Sequence, residues 1–418
     1  MRLKSVRLST LLWVGILMTV LYIIACKKEV NITTQSSNVD TLDITDTTDS
    51  TDTTQDTPIN TDTISRIVLF ENNTNGIRQF RIPGLVKTNK GTLIAVCDAR
   101  VNKFGDLPNK INTVLRRSID DGKTWSEMQT IVEFSGNEGA GDPALLVDRK
   151  TNTVWLFFNY AKEGIGISTS QPGYGENTIH IMAIKSDDDG LTWSKPIDIT
   201  KSVKAEEWRF VVSSPGHGIQ LKDGTLLQMA YYGLPKSVTW KMSAFAFYSK
   251  DHGKTWKRTE PIGQGLTEAM AVELENGQVM VNIRNQVRFP NKKITKRAIT
   301  FIADLTRPWS EVQYDTVLTE PSCQGSMIKL EVGESAGKDW LVFGNPAHHI
   351  ERQNYTLRFS KNGGKEWATS LQLWPGGSMY SDIVELQNGD FGVLYEKYVA
   401  SSFYLEFARV PRELLIKD

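Results

Sequence analysis

The chain has 418 residues, with 48 basic and 48 acidic side chains and three cysteines. Because the charges balance, no net field draws the chain to nucleic acid or to an anionic membrane surface, and no nucleic-acid partner is expected. Three cysteines are too few for a disulfide framework, and Cys97 and Cys323 are expected to be buried and unpaired.

The N-terminal residues 1–26 have the pattern of an export signal, in which basic residues precede an apolar run from Leu11 to Ala25. The run is shorter than the roughly 20 apolar residues that a membrane-spanning helix needs. It ends at Ile23-Ile24-Ala25-Cys26, which resembles a bacterial lipobox, so Cys26 is the expected lipidation site. A signal-anchor helix and an ordinary cleaved signal are the alternatives. All three possibilities export the rest of the chain. The expected location is that of a membrane lipoprotein facing the periplasm or cell surface, with a secreted protein as the alternative.

Residues 27–65 are predicted to be a disordered linker. From Asn31 to Ser65 the chain is dominated by Thr, Asp and Ser and has no Lys, Arg, Phe, Trp or Tyr. Such a composition cannot bury a core, and its acidic groups repel one another. A flexible stalk is therefore expected here, followed by one folded domain over residues 66–418.

The body consists of short β-rich runs separated by Gly, Asn and Asp turns, which predicts an all-β fold. A motif of the form S-x-D-x-G-x-T-W, the Asp box, begins at Ser118, Ser186 and Ser249, and a fourth copy at Ser360 is altered. Its Asp suits a turn acceptor, its Gly can adopt a positive φ, and its Trp can pack beneath the turn. The motif is therefore structural.

The intervals between the motifs are 68, 63 and 111 residues. The last interval is nearly twice the others, which indicates one repeat without a readable box. Units of this length divide the body into about six four-stranded sheets, within the usual range for propellers. The predicted architecture is a six-bladed β-propeller of four-stranded antiparallel sheets.

The body with its Asp boxes resembles the bacterial exo-α-sialidase (neuraminidase) family from about Ile67 to Arg409. The first specific match is Phe80-Arg81-Ile82-Pro83, which resembles the FRIP motif of that family. The resemblance implies that Arg81, Arg284 and Arg352 grip the carboxylate of sialic acid, with Arg358 as a competitor for the third place. Planar guanidinium groups suit this task because they bind carboxylates bidentately and stay charged.

The resemblance also assigns the catalytic groups. Asp106 is the implied acid/base, with Asp98 as a weaker rival, and Tyr380 is the implied nucleophile, with Glu268 as its base. Sialidases with a tyrosine nucleophile are exceptions among glycosidases. A neutral phenol avoids the repulsion that an anionic nucleophile meets at a carbon bearing a carboxylate, but it needs a base nearby.

Three further residues are assigned supporting roles by the resemblance. Glu396 orients the first arginine, whereas Arg100 and Asp142 contact a hydroxyl of the sugar ring. No cofactor or metal is expected, because no HExxH or CxxC spacing occurs. His217 is expected to serve packing or a turn. Four aromatic residues stay unassigned between pocket wall and core: Trp208, Phe210, Tyr231 and Tyr232.

The implied function is hydrolysis of terminal α-linked sialic acid from glycans, glycoproteins or gangliosides, with retention through a tyrosyl intermediate. A trans-sialidase, including the intramolecular kind, uses the same residues and stays open. A lipoprotein that binds glycans without cleaving them is the alternative from another class, and it does not require Tyr380 or the arginines.

Overall fold

The structure is a computed structural model that describes residues 63–236, 241–287, 295–400 and 402–417. The predicted export signal, Cys26 and all but the last residues of the predicted linker lie outside these ranges. Within the described ranges, no helix is both long enough and apolar enough to cross a membrane. The first strand begins at Ser65, next to the predicted start of the body.

The described residues form twenty-six β-strands and one single-turn α-helix, α1 (Thr200–Val203). The first nine strands are β1 (Ser65–Glu71), β2 (Gln79–Lys87), β3 (Leu93–Arg100), β4 (Ile111–Ser118), β5 (Gln129–Val132), β6 (Gly139–Asp148), β7 (Thr153–Ala161), β8 (His180–Ser186) and β9 (Ile197–Asp198). The next nine are β10 (Phe210–Ser213), β11 (Gly216–His217), β12 (Ile219–Gln220), β13 (Leu226–Gly233), β14 (Ser243–Ser249), β15 (Lys257–Arg258), β16 (Ile262–Gln264), β17 (Leu266–Glu273) and β18 (Val279–Asn285). The last eight are β19 (Lys296–Ile302), β20 (Gln313–Thr319), β21 (Ser326–Lys329), β22 (Leu341–Pro346), β23 (Gln353–Ser360), β24 (Thr369–Glu385), β25 (Phe391–Val399) and β26 (Ser402–Val410), and short 3-10 helices occur at Gly333–Ser335 and Arg412–Leu414.

The strands form successive antiparallel meanders, which confirms the all-β prediction. They run β2-β3-β4-β5, β6-β7-β8-β9, β10-β13-β14-β15, β17-β18-β19-β20 and β21-β22-β23-β24. The long strand β24 also pairs with β25, which pairs with β26. Strand β1 then pairs with β26, joining the first strand of the body to the last. Both ends of the body therefore meet in one sheet.

The Asp boxes lie in the turns after β4, β8, β14 and β23. In the first box, Ser118 Oγ donates to Asp120 Oδ1 at 2.8 Å and accepts from the Gly122 N–H at 2.8 Å. The Thr124 N–H and hydroxyl donate to the two oxygens of the same carboxylate at 2.9 and 2.6 Å. The second and third boxes repeat these bonds around Asp188 and Asp251.

The fourth box keeps this turn, but the side-chain donor and the side-chain acceptor have exchanged positions. The Glu366 N–H donates to Asn362 Oδ1 at 2.9 Å, as in the other boxes, but Asn362 Nδ2 donates to the Glu366 carboxylate at 3.2 Å. The pair Asn-Glu therefore replaces Asp-Thr with the bonding preserved. The turn between β19 and β20, where the sequence lacks a readable box, keeps an Asp304 carboxylate that binds the Thr306 N–H and hydroxyl.

Each box glycine is seated against a neighbouring meander. A Cβ atom on any of these glycines would lie within 2.8 Å of a side chain there, so only glycine fits. The contacts are Gly122 with Phe407, Gly190 with Ile94, Gly253 with Trp155 and Gly364 with Met280. The boxes thus contribute to packing between neighbouring meanders as well as to their own turns. Cys97 and Cys323 are buried and do not form a disulfide, as the sequence predicted.

Candidate active site

Four of the predicted site residues lie beside irregularities in strands β2, β6, β17 and β24. In each strand, three residue steps stand opposite two on its partner, which is the geometry of a β-bulge and re-aims the side chains there. The shifts fall between Arg81 and Gly84, Gly141 and Ala144, Leu266 and Ala269, and Ser378 and Ser381. Local backbone irregularity therefore accompanies Arg81, Asp142, Glu268 and Tyr380.

Glu396 holds the first arginine. Its carboxylate is fully buried and accepts from Arg81 Nε at 3.0 Å and Arg81 Nη2 at 3.1 Å, a bidentate ion pair. It also accepts from the Ile82 N–H at 2.9 Å and the Tyr380 N–H at 3.1 Å. Ile82 has φ +59°, an unfavourable angle for a β-branched residue. One carboxylate thus fixes the guanidinium, the strained backbone at Ile82 and the backbone N–H of Tyr380.

Tyr380, Glu268 and Arg284 form a compact hydrogen-bonded group. Tyr380 Oη donates to Glu268 Oε1 at 2.5 Å, and Arg284 Nη1 donates to Glu268 Oε2 at 2.7 Å and to Tyr380 Oη at 2.9 Å. Burial, followed by the charge of Glu268, raises the pKa of Tyr380 well above its usual value. The tyrosine is therefore a neutral phenol that donates a hydrogen bond to a carboxylate.

Arg352 completes the arginine group predicted from the sequence. Its guanidinium carbon lies 6.0 Å from the centre of the Tyr380 ring, and that of Arg81 lies 5.2 Å from it. Arg352 Nη2 donates to the Ser322 carbonyl at 3.1 Å. Arg358, the competitor, instead donates to Asn345 Oδ1 at 3.3 Å. The structure therefore brings Arg352, and not Arg358, to Tyr380.

A second group joins Arg100 to three aspartates. Arg100 is fully buried and donates to Asp98 Oδ2 at 3.1 Å and to Asp106 Oδ1 at 2.5 Å. The other oxygen of Asp98 accepts the Asp142 N–H at 2.9 Å. Asp98 is completely buried, whereas the side chain of Asp106 is 73% exposed. Of these two aspartates, Asp98 is thus a structural anchor, whereas Asp106 can reach a ligand.

The aspartates differ in the direction of their pKa shifts. Partial enclosure raises the pKa of Asp106, but the charges of Arg100 and Arg81 outweigh it, so the pKa lies below its usual value. Burial raises the pKa of Asp98 to about 7 against the opposing charge of Arg100. Burial also raises the pKa of Asp142 well above its usual value, and the neighbouring Asp98 adds to this. In the free site, Asp106 is therefore the most readily ionised of the three.

Tyr231, which the sequence left unassigned, is a buried aromatic residue. Its ring is buried among Phe210, Val212 and other apolar residues, and burial together with the charges of Glu268 and Asp142 raises its pKa. No signal in the sequence separates it from a core aromatic. Trp208, in contrast, stacks on Tyr232 with ring centres 3.6 Å apart in a hydrophobic cluster.

His217 contacts a buried aspartate, and its role in packing or a turn stays a prediction. Its Nδ1 is 2.7 Å from Asp382 Oδ1, and Asp382 also accepts from the Leu85 N–H and the Ser326 hydroxyl. This buried carboxylate ties together segments from different meanders.

A cavity of about 420 Å³ opens beside Arg284 and Arg352.

Comparison with known proteins gives the class. Residues 91–393 match the model of the BNR repeat-like domain, so the chain is a BNR-repeat protein. It is 37% identical over 355 residues to a sialidase of Bacteroides fragilis (strain YCH46), with 81% of this chain and 63% of the relative covered. A sialidase of Micromonospora viridifaciens is 32% identical over 338 residues, covering 78% of this chain and 51% of the relative. The chain thus spans less than two thirds of the length of these relatives.

A solved structure agrees with these sequence matches. The Hadza microbial sialidase Hz136 superimposes with a TM-score of 0.75 and 36% identity, over 82% of this chain and 67% of the other. This superposition indicates the same family as the BNR-repeat match and the sialidase relatives. The chain belongs to the bacterial sialidase family.

Proposed function

We propose that the protein is an exo-α-sialidase that removes terminal α-linked sialic acid from glycans, glycoproteins or gangliosides. The observation that carries the proposal is the 2.5 Å hydrogen bond from Tyr380 to Glu268, beneath a group of three guanidinium ions. A buried phenol paired with a carboxylate is an activated nucleophile. Arginines that converge on its ring supply a site for an anion, and the family relationship makes that anion a sugar carboxylate.

Binding begins with the carboxylate of the sugar at Arg81, Arg284 and Arg352. Two of these already have acidic partners, since Arg81 is paired with Glu396 and Arg284 with Glu268. These partners fix the guanidinium planes and leave other N–H groups for a ligand. The anomeric carbon, which bears the carboxylate, is thereby held next to Tyr380.

The reaction proceeds by two displacements. Tyr380 Oη bonds to the anomeric carbon while Glu268 takes the phenolic proton, and Asp106 gives its proton to the departing glycosidic oxygen. Asp106 then removes a proton from water, the water oxygen replaces the tyrosyl oxygen, and Glu268 returns the proton to Tyr380. Two inversions at one carbon give net retention.

Ligand charge couples binding to the protonation of Asp106. Arg100 and Arg81 keep the pKa of this aspartate low in the free site. The sugar carboxylate cancels part of the arginine charge, which raises the pKa of Asp106 toward the protonated form that a general acid needs.

The test is incubation with α2,3-sialyllactose and α2,6-sialyllactose, followed by mass analysis of the products. Free sialic acid supports the proposal. An anhydro sugar would instead show intramolecular transfer, and binding without any product would show a glycan-binding protein. Either of these outcomes overturns hydrolysis as the function.

We also infer that the body is a six-bladed propeller. The meanders begin at β2, β6, β10, β17 and β21, and the last consists of the end of β24 with β25, β26 and β1. Closure of the last sheet by β1 and the contact of Gly122, after β4, with Phe407 on β26 support a ring. Electron microscopy of the protein tests the blade count, and any number other than six would refute it.

We propose finally that the protein is exported and anchored through lipid on Cys26. The support is the short apolar run ending in a lipobox-like sequence. Labelling with a clickable fatty acid should mark the wild type and not Cys26→Ala. Equal labelling of both would refute the anchor.

A further inference from the structure

We infer that the buried ion pair of Arg297 and Glu320 is a positioning device that sets the spacing between Arg284 and Arg352. Neither residue reaches the site itself, but their contacts extend to the segments that carry both arginines. The inference rests on the proposed function, because its main consequence is for binding of a carboxylate substrate.

The pair is completely enclosed, with both side chains at 0% exposure. Arg297 Nη1 donates to Glu320 Oε2 at 3.0 Å and to the Cys323 carbonyl at 2.6 Å, and Arg297 Nε donates to Asn282 Oδ1 at 2.6 Å. A planar guanidinium bound on several sides cannot rotate or shift without breaking hydrogen bonds. The pair therefore joins β18, β19 and the loop before β21 rigidly.

One oxygen of Glu320 reaches the Arg284 segment. Glu320 Oε1 accepts the N–H of Asn285, the residue after Arg284, at 2.8 Å. In the amide orientation that satisfies both neighbours, Gln286 accepts from Arg284 Nη2 at 3.1 Å and Nε at 3.3 Å, and donates to Ser322 Oγ at 3.0 Å. The backbone and the side chain of this arginine segment are thus tied to the loop that contains Ser322.

The other oxygen of Glu320 reaches the Arg352 side. Glu320 Oε2 accepts the Cys323 N–H at 3.2 Å, and with Arg297 at the Cys323 carbonyl it fixes both sides of this residue. The preceding Ser322 has φ +56°, a strained angle that its surroundings must impose. Its carbonyl accepts from Arg352 Nη2 at 3.1 Å. The orientation of Arg352 therefore depends on a loop that Glu320 holds.

The energetics favour a geometric role over a stabilising one. Burial raises the pKa of Glu320 and lowers the pKa of Arg297, so enclosure disfavours the charge of each despite the partner. Arg297 Nη2 is buried without a hydrogen-bond partner among the described residues. Buried ion pairs of this kind are often replaceable by neutral groups without loss of stability.

The test replaces the pair by neutral groups of similar size, in the variant Arg297→Met/Glu320→Gln. KM for sialyllactose is expected to rise about tenfold, more than any fall in kcat, because misplaced binding groups weaken capture of the carboxylate. Loss of folded protein alone would lower the measured rate and leave KM unchanged. The matched control is Asp148→Asn, a buried carboxylate that binds His252 and Gln220 instead, and its KM should stay at the wild-type value.

An unchanged KM in the folded double variant overturns the inference. If the double variant shows no cooperative thermal transition, Arg297→Lys decides, because it keeps the charge and loses the fork: KM should rise about threefold, and no rise refutes the proposal. If the wild type cleaves no sialoside, the proposed function fails on its own. Crystal structures then test positioning, since retention of the contacts Arg352–Ser322 and Arg284–Gln286 in the variant would refute it.

Discussion

The Asp-box turns and the arginine–tyrosine site are built in opposite ways. In a box, the side chain of Asp120 bonds to partners two and four residues away. In the site, Arg81 and Glu396 are 315 positions apart, and Tyr380 and Glu268 are 112 apart. The hydrogen bonds of a box are local, although its glycine also packs against a neighbouring meander. Each group of the site, in contrast, depends on the whole fold. Substitutions in the two regions should therefore differ in kind as well as in size.

The largest expected effect is that of Tyr380→Phe. Removal of the phenolic oxygen eliminates the proposed nucleophile, so kcat on a fluorogenic α-sialoside should fall by at least about 10³-fold. Stability should fall by about 2–3 kcal/mol, because two buried hydrogen bonds to charged groups are lost. Tyr314→Phe, at an exposed position on β20, is the control with unchanged turnover. Near-wild-type activity of Tyr380→Phe would remove the basis of the mechanism.

An intermediate effect is expected for Arg100→Gln on the pH dependence of kcat/KM. Arg100 lowers the pKa of Asp106, so its loss raises that pKa. A general acid works below its pKa, and the alkaline limb of the profile should therefore move about one unit to higher pH. Arg149→Gln, in a separate cavity whose lining includes none of the predicted site residues, should leave the limb in place. No movement, or movement to lower pH, would argue against Asp106 as the acid.

The smallest effect is expected in the fourth box. Asn362→Asp puts a second carboxylate beside Glu366 and should lower the free energy of unfolding by about 0.5 kcal/mol at neutral pH. Adding Glu366→Thr restores the bonding of the other boxes and should recover the loss, with KM and kcat unchanged throughout. Chemical denaturation of both single variants and the double variant measures the coupling, and simple additivity would contradict the exchanged donor and acceptor.

The free energy of unfolding at acid pH should also distinguish the three boxes that carry an aspartate from the fourth, which carries Asn362. Hydrogen bonds from Thr124 and its equivalents lower the pKa of Asp120, Asp188 and Asp251 to about 2. Their contribution is therefore present above the unfolded pKa of about 4 and is lost as pH falls toward 2.

The sequence predicted what depends on a short window. The β-rich runs and the boxes gave an all-β body, and flanking motifs distinguished Arg81 and Tyr380 from other residues of the same type. The bulges beside these residues were not predictable, because they arise from pairing with distant strands. The carboxylate partners of Arg297 and of Arg100 were missed for a related reason, since a buried ion pair has no sequence signature until the fold brings its members together.

The altered fourth box shows the limit of reading single positions. Asn362 and Glu366 each count as a mismatch to the motif, yet together they conserve its hydrogen bonds. A pairwise rule would have recognised this turn. The turn at Asp304, between β19 and β20, keeps only the bonding of a carboxylate to a threonine N–H and hydroxyl. Its position in the meander, and not its sequence, identifies it.

Strand β1 is the first part of the body to be synthesised, and its partner β26 is the last. Its pairing edge stays open until residue 410 has left the ribosome, and an open edge can recruit other chains. Exchange of β1 between two incomplete molecules would satisfy the same hydrogen bonds. A chain that lacks only its final strand therefore loses the seam as well as that strand and exposes two edges at once.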